Sequence, residues 1–236
     1  MTEPDKIPMP EKGKSLPLLY SREARQRVFV SVSWDARMQS TRPGRKSKPA
    51  APVLKKGADI PEAEGYENLN IYRVEGEVGF VTETFDIDLV CLIFNAAGEL
   101  VDAVSPDPRE SMDRSGKIYH GGDETRGISD SDDETVTVEL KDLPDSLHHL
   151  VFVAICQSGQ SFDRIAAPHA HVTDGLTGVD VLDLDIGKPD GPGKTACILM
   201  RLHRGGPEGW MLHNICAFRV DKAVSDWGQE VRPFLT

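Results

Sequence analysis

Long apolar runs, closely spaced cysteines and net positive charge over the body of the chain are all missing from these 236 residues, and each absence closes a class of function. No run of eighteen apolar residues occurs, so no membrane-spanning helix is expected. The N-terminus has no apolar signal-peptide core, and a cytoplasmic location is the expectation. Cys91, Cys156, Cys197 and Cys216 stand singly in apolar strand-like runs, which argues against zinc and for buried thiols in a reducing compartment. Net charge is −11 and uneven: residues 1 to 60 hold thirteen Lys or Arg against six Asp or Glu, leaving −18 on the remainder. A body that acidic has no general attraction for nucleic acid or an anionic membrane. Catalytic signatures are missing too. The serines lack a His and Asp framework, the cysteines are embedded in strands, and KPDGPGKT at 188–195 lacks the spacing of a phosphate-binding loop, so no enzyme is expected.

What the chain does have is strand periodicity. RVFVSVSW puts Val28, Val30 and Val32 on one face and Phe29, Ser31 and Ser33 on the other, with Trp34 as a core anchor. After Asp86, residues Ile87, Leu89, Cys91 and Ile93 share a face, and a turn at 95–98 leads into ELVDAV at 99–104. TVTVEL at 135–140 points Val136, Val138 and Leu140 inward, while LVFVAICQ at 150–157 is apolar on both faces, as in a strand covered on its outer side as well. RIAAPHAHV at 164–172 reads as an edge strand, because Pro168 cannot donate to a ladder. His169 and His171 there share a face, but no third ligand is spaced to join them and they read as structural. VDVLDLDI at 179–186 alternates until its phase becomes mixed, and TACILMRLHR with GWMLHNICAFRV forms a closing hairpin. The chain is therefore expected to be all-β.

The most unusual stretch is HGGDETRGISDSDDE, residues 120–134, with six carboxylates. Like charges at that density repel unless solvent, a basic partner or a hard cation neutralises them. Calcium suits such a loop because it takes six to eight oxygen ligands in flexible geometry, and Gly121, Gly122 and Gly127 let backbone carbonyls turn outward. Asp86 and Asp88 lie on one strand face and can reach a common ion. The loop is not an EF-hand: Ile128 occupies the place of the required glycine, and no helical pattern flanks it. A solvated acidic turn is the competing reading.

VSVSWDAR at 30–37, FDIDLVCLIFNAAGEL at 85–100, HGGDETRGISDSDDETVTVEL at 120–140 and the strand order ending near FRV at 218–220 together resemble the TerD family of tellurium-resistance and calcium-binding bacterial stress proteins. The resemblance implies a β-sandwich of two antiparallel sheets with long acidic metal-binding loops, and calcium ligands at Asp86, Asp88, Asp123, Asp130, Asp132, Asp133 and Glu134. Glu124, Ser129 and Ser131 stand where the family pattern carries Asn and glycines, which narrows the backbone angles open to the loop. The implied division is an N-terminal arm at 1–27, a sandwich at 28–220 with an inserted segment at 38–84 whose first half, 38–61, is basic and proline-rich, and a tail at 221–236. Within the insertion, YENLNIYRVEGEVGF at 66–80 is expected to form a hairpin. The functional expectation is a calcium-binding protein of bacterial stress response or tellurite resistance. The alternative is a structural or assembly protein in which calcium only staples loops and the basic insertion and termini contact a protein partner or a second copy.

Overall fold

A computed structural model describes residues 9–18, 27–38, 71–74, 77–80, 85–122, 133–205, 209–221 and 226–236. Among the described residues thirteen strands run in chain order: β1 Ser15–Pro17, β2 Val28–Met38, β3 Ile71–Val74, β4 Glu77–Phe80, β5 Ile87–Phe94, β6 Leu100–Val104, β7 Ile118–His120, β8 Glu134–Val138, β9 His149–Cys156, β10 Ile165–Asp174, β11 Asp180–Asp185, β12 Ala196–Arg204 and β13 Trp210–Arg219. A single helical turn, α1 Trp227–Glu230, follows near the C-terminus. Two sheets face each other, one of six strands ordered β1-β13-β12-β9-β5-β6 and one of five ordered β11-β10-β2-β8-β7. All pairings are antiparallel. The β3–β4 pair forms a separate two-stranded hairpin between β2 and β5 in the chain.

The alternating residues fill the space between the sheets. Val28, Val30 and Val32 of β2 meet Ile87, Leu89, Cys91 and Ile93 of β5 in one core, joined by Val136, Val138, Leu150, Phe152 and Phe162. At about 25 cal/mol per Å2 of apolar surface, each such residue contributes roughly 1.5–3 kcal/mol, which makes this layer the main source of stability. β9 is apolar on both faces for a visible reason. Its outer residues Val151, Val153 and Ile155 belong to a second cluster with Leu92, Phe94 and Val231, against which Trp227, Phe234 and Leu235 of the C-terminal tail pack. The tail is held further by an ion pair between Arg219 and Glu230 and by the Arg219 guanidinium over the Phe234 ring. At the other end of the chain, β1 adds an edge to β13, and Asn214 Nδ2 donates to the Pro10 carbonyl.

One strand differs from its sequence reading. β10 lies between β11 and β2, not at an edge. Pro168 is tolerated because the β10–β2 register breaks between Ala166 and His169, with Ala167 at φ 47°, so its missing N–H falls in a bulge where no ladder bond is lost. The mixed phase of β11 has a related origin. A register shift between Val172 and Thr173 opposite it lets both Val181 and Leu182 be buried. All four cysteines are free thiols, with Cys91, Cys156 and Cys197 buried and Cys216 half-buried.

Candidate metal site at the acidic pole

Strand direction gathers the acidic residues at one end of the sandwich. β5 and β8 start there, β2 and β9 finish there, and the described flanks of the acidic loop, Gly122 and Asp133, open onto it. Trp34 knits this pole together. Its backbone N–H donates to Asp133 Oδ2 at 2.8 Å, and its indole N–H donates to the Phe85 carbonyl at 3.0 Å. The second bond joins residues 51 positions apart in sequence, on either side of the stretch 38–84.

Glu134 is the most buried carboxylate here, at 1% exposure. Its position follows from sheet geometry: β8 pairs with β2 so that Glu134 lies opposite Val32, facing the start of β5. β6 pairs with Cys91–Phe94, so among the described residues the first half of β5 has β9 as its one strand neighbour. The Leu89 N–H on that open side donates to Glu134 Oε2 at 2.7 Å, and His120 Nε2 approaches the same oxygen at 3.3 Å. His120 Nδ1 accepts from the Gly122 N–H, which turns Nε2 towards the carboxylate, where it is buried and makes a close contact without a well-formed hydrogen bond among the described residues. Burial raises the pKa of Glu134, the neighbouring His120 ring and the Leu89 N–H oppose the rise, and the charge of Asp88 adds to it. Among the described residues, Glu134 Oε1 is buried without a hydrogen-bond partner.

Asp86 and Asp88 are half-buried and oriented from β9's end. Gln157 donates from its side chain to Asp88 Oδ2 at 2.7 Å and from its backbone to the Asp86 carbonyl at 2.8 Å. Asp133, at 7% exposure, completes the described set. Four of the seven expected ligands thus share one pole, while Asp123, Asp130 and Asp132 lie outside the described residues. Among the described residues no group of three His, Cys, Asp or Glu is placed to hold a metal by itself. The sequence reading missed His120 and Gln157, both of which take their roles from strands far away in the chain. Asp113, a lesser acidic candidate, is committed to its own turn: it accepts from the N–H groups of Ser115, Lys117 and Ile118 and from the Ser115 hydroxyl. The Asp183–His169 contact at 3.2 Å likewise joins paired strands.

Comparison with known proteins agrees with this architecture. Over 92 residues the chain is 30% identical to the tellurium resistance protein TerZ of Serratia marcescens, a match covering 39% of this chain and 47% of that protein. Among solved structures, the unknown function protein SAV2460 aligns over 89% of this chain and 96% of its own, with a TM-score of 0.57 and 20% identity. SCO6318 from Streptomyces coelicolor A3(2), described as a homologue of telluride resistance protein (TerD), aligns over 82% and 88% with a TM-score of 0.53 and 17% identity. These two likenesses bear on the fold alone. Residues 9–217 match the TerD domain as a family, and the chain belongs to that family.

Proposed function

We propose that this chain is a calcium-binding β-sandwich module acting in bacterial tellurium resistance or stress response, and that it works by binding rather than by catalysis. The tellurium connection rests on family membership and on the TerZ relative. The calcium reading rests on one observation above the others: Glu134 presents a buried carboxylate oxygen without a described partner at the end of the sandwich where Asp86, Asp88 and Asp133 also lie. A buried carboxylate in that condition is costly, and its burial already raises its pKa. The donors are hard oxygens in a flexible setting, which fits calcium better than magnesium or a thiophilic metal.

In this reading Asp86, Asp88, Asp123, Asp130, Asp132, Asp133 and Glu134 hold the ion, and what calcium supplies is charge neutralisation. Gln157 holds Asp88, and Trp34 holds Asp133, so both carboxylates are oriented before any ion arrives. Calorimetric titration of demetallated protein tests the proposal. Saturable calcium uptake, weakened in Asp132→Asn and Glu134→Gln, is the expected result. No uptake at about millimolar calcium, or unchanged uptake in both variants, would reduce the cluster to a solvated loop.

A further inference from the structure

The four cysteines are not alike. Cys91 and Cys156 are buried, and the Cys156 thiol shares a hydrogen bond with the Ser158 hydroxyl at 3.1 Å. Cys197 of β12 and Cys216 of β13 lie on adjacent strands: Cys197 stands opposite Phe218, and Cys216 is two residues back along β13. Residues two apart on a strand share a face, and Cys216 packs against the core cluster that holds both Cys197 and Phe218. Between the Ile198–Ala217 and Met200–Asn214 pairs the register slips, so that Leu199 alone faces both Ile215 and Cys216. Cys216 sits in this bulge at φ 45°, in the left-handed region that residues with a Cβ seldom enter. β1 and the residues before it accompany β13 as far as Asn214. Among the described residues, therefore, no strand covers the edge of β13 at Cys216, and its thiol is half-buried where that of Cys197 is fully buried.

The two sulfurs are within hydrogen-bonding reach of each other, and their surroundings hold them in different states. The Cys197 S–H lowers the Cys216 thiol to about 7, helped by the charge of Lys12 and opposed by burial and by the carboxylates of Asp185 and Asp190. Burial, with Cys216 as a neighbour, pushes the Cys197 thiol well up, so Cys197 keeps its proton and acts as the donor. Its contact with the Ile198 carbonyl, at 3.8 Å, is long enough for the S–H to turn away from it. The thiolate is the nucleophile in disulfide exchange, and a thiol that titrates near the ambient pH attacks best. Strained backbone of the kind found at Cys216 concentrates at functional positions.

We propose that Cys216, set in the β13 bulge beside Cys197, is a site of thiol–disulfide exchange with small disulfides, and that Cys197 is its resolving thiol. The Cys216 thiolate attacks one sulfur of the small disulfide, forming a mixed disulfide and releasing one thiolate. The Cys197 sulfur then attacks the Cys216 sulfur, and its proton leaves with the second small thiol. The two protein thiols are thereby oxidised by two electrons to one disulfide, while the small disulfide is reduced to two thiols. An S–S bond of about 2.05 Å draws β12 and β13 together at the bulge, where the ladder is already interrupted and can adjust. The product closes a loop across the β12–β13 hairpin and restricts the unfolded chain, so the oxidised protein melts at a higher temperature than the reduced one.

The test incubates the intact, reduced chain in glutathione buffers of graded redox ratio, quenches with N-ethylmaleimide in denaturant, and reads the intact mass and a tryptic map. Arg201 and Arg204 place the two cysteines on separate peptides, so a link between them is read directly. The expected product has lost the mass of two hydrogens, carries a Cys197–Cys216 link with Cys91 and Cys156 unoxidised, melts higher than the reduced chain and reverts in dithiothreitol. Cys197→Ala should stop at a glutathione adduct on Cys216, and Cys216→Ser should form neither the adduct nor the link. The alkylation rate of Cys216 against pH separates a positioned thiol from a merely exposed one: it should titrate at about 7 in wild type and at higher pH in Cys197→Ala, which lacks the donor. Should either variant fail to fold, the wild-type map and pH profile decide the matter. The proposal is overturned by a glutathione adduct that persists on Cys216 in wild type, by a link between any other pair or between two chains, by no oxidation in the most oxidising buffer, or by a Cys216 alkylated no faster than Cys91 and Cys156 in the folded protein.

Discussion

Replacing Glu134 by Gln and by Ala separates its part in the fold from its part at the proposed metal site. In the fold, Glu134 Oε2 accepts the Leu89 N–H at 2.7 Å on the open side of β5, and Oε1 is buried without a described partner. Gln keeps an acceptor for Leu89 and removes a charge whose burial is unfavourable, so metal-free Glu134→Gln should be as stable as wild type or slightly more so. Ala leaves the Leu89 N–H unsatisfied, at a cost of about 1–3 kcal/mol, and adds a small cavity. Because the folded pKa of Glu134 is raised, the folded state binds its proton more tightly than the unfolded state does. That stabilisation is fully present below the unfolded value and is lost as pH rises through the folded value, a slope Glu134→Gln should remove. Urea unfolding in chelator at pH 5 and pH 7.5 measures all three effects. In calcium the order reverses: wild type gains about 2.7 kcal/mol at a hundredfold excess over Kd, and Gln gains less. A loss of more than about 2 kcal/mol for metal-free Glu134→Gln would refute the reasoning, since it would mean that the charge itself holds the strands together.

How far the chain could be read in advance depended on how local the signal was. The alternation of Val28, Val30 and Val32, and of Ile87, Leu89, Cys91 and Ile93, is local, and those residues form the core. The apolar outer face of β9 was legible in the same way, and the tail that covers it through Val231, Phe234 and Leu235 answers to it. Pro168 misled because a proline forbids a ladder bond without saying whether the strand ends there or bulges; the bulge at Ala167 is set by pairing with β2, more than a hundred residues earlier. The candidate site divides along the same line. The carboxylates are conspicuous in sequence, but what orients them is not: Trp34, His120, Leu89 and Gln157 come from four strands or strand ends, and no spacing in the chain links them. Nothing local marks Arg201 within TACILMRLHR; the cross-strand register alone sets it beside His213 and His203 beside His149.

The remaining predictions test the tail, the histidine cluster and the insertion. Val231→Asp places a charge at a fully buried position under the outer face of β9; it should lower the melting temperature and expose Leu92, Phe94 and Val153 to a hydrophobic dye, whereas an unchanged melting curve would mean that the tail is not docked in solution. His149 has a folded pKa of about 4 against 6.5, so protonation favours the unfolded state and stability falls as pH drops from about 6.5 towards 4. His149→Gln should flatten that part of the profile in melting scans, and an unaltered slope would assign the acid lability elsewhere. The insertion offers the most direct test of how the pole is built. The indole bond from Trp34 to the Phe85 carbonyl closes the neck of the segment, so the folded body needs from it only a connection between two ends already in contact. Shortening about fifty residues to about ten Gly and Ser removes two doublings of loop length, worth about 1 kcal/mol in favour of folding, while every described core residue is kept. The shortened chain should therefore melt cooperatively at the same temperature or slightly higher, and Trp34→Phe, which orphans the Phe85 carbonyl, should cost about 1–3 kcal/mol in both backgrounds. Loss of cooperative unfolding on shortening alone would show that the inserted segment carries part of the core.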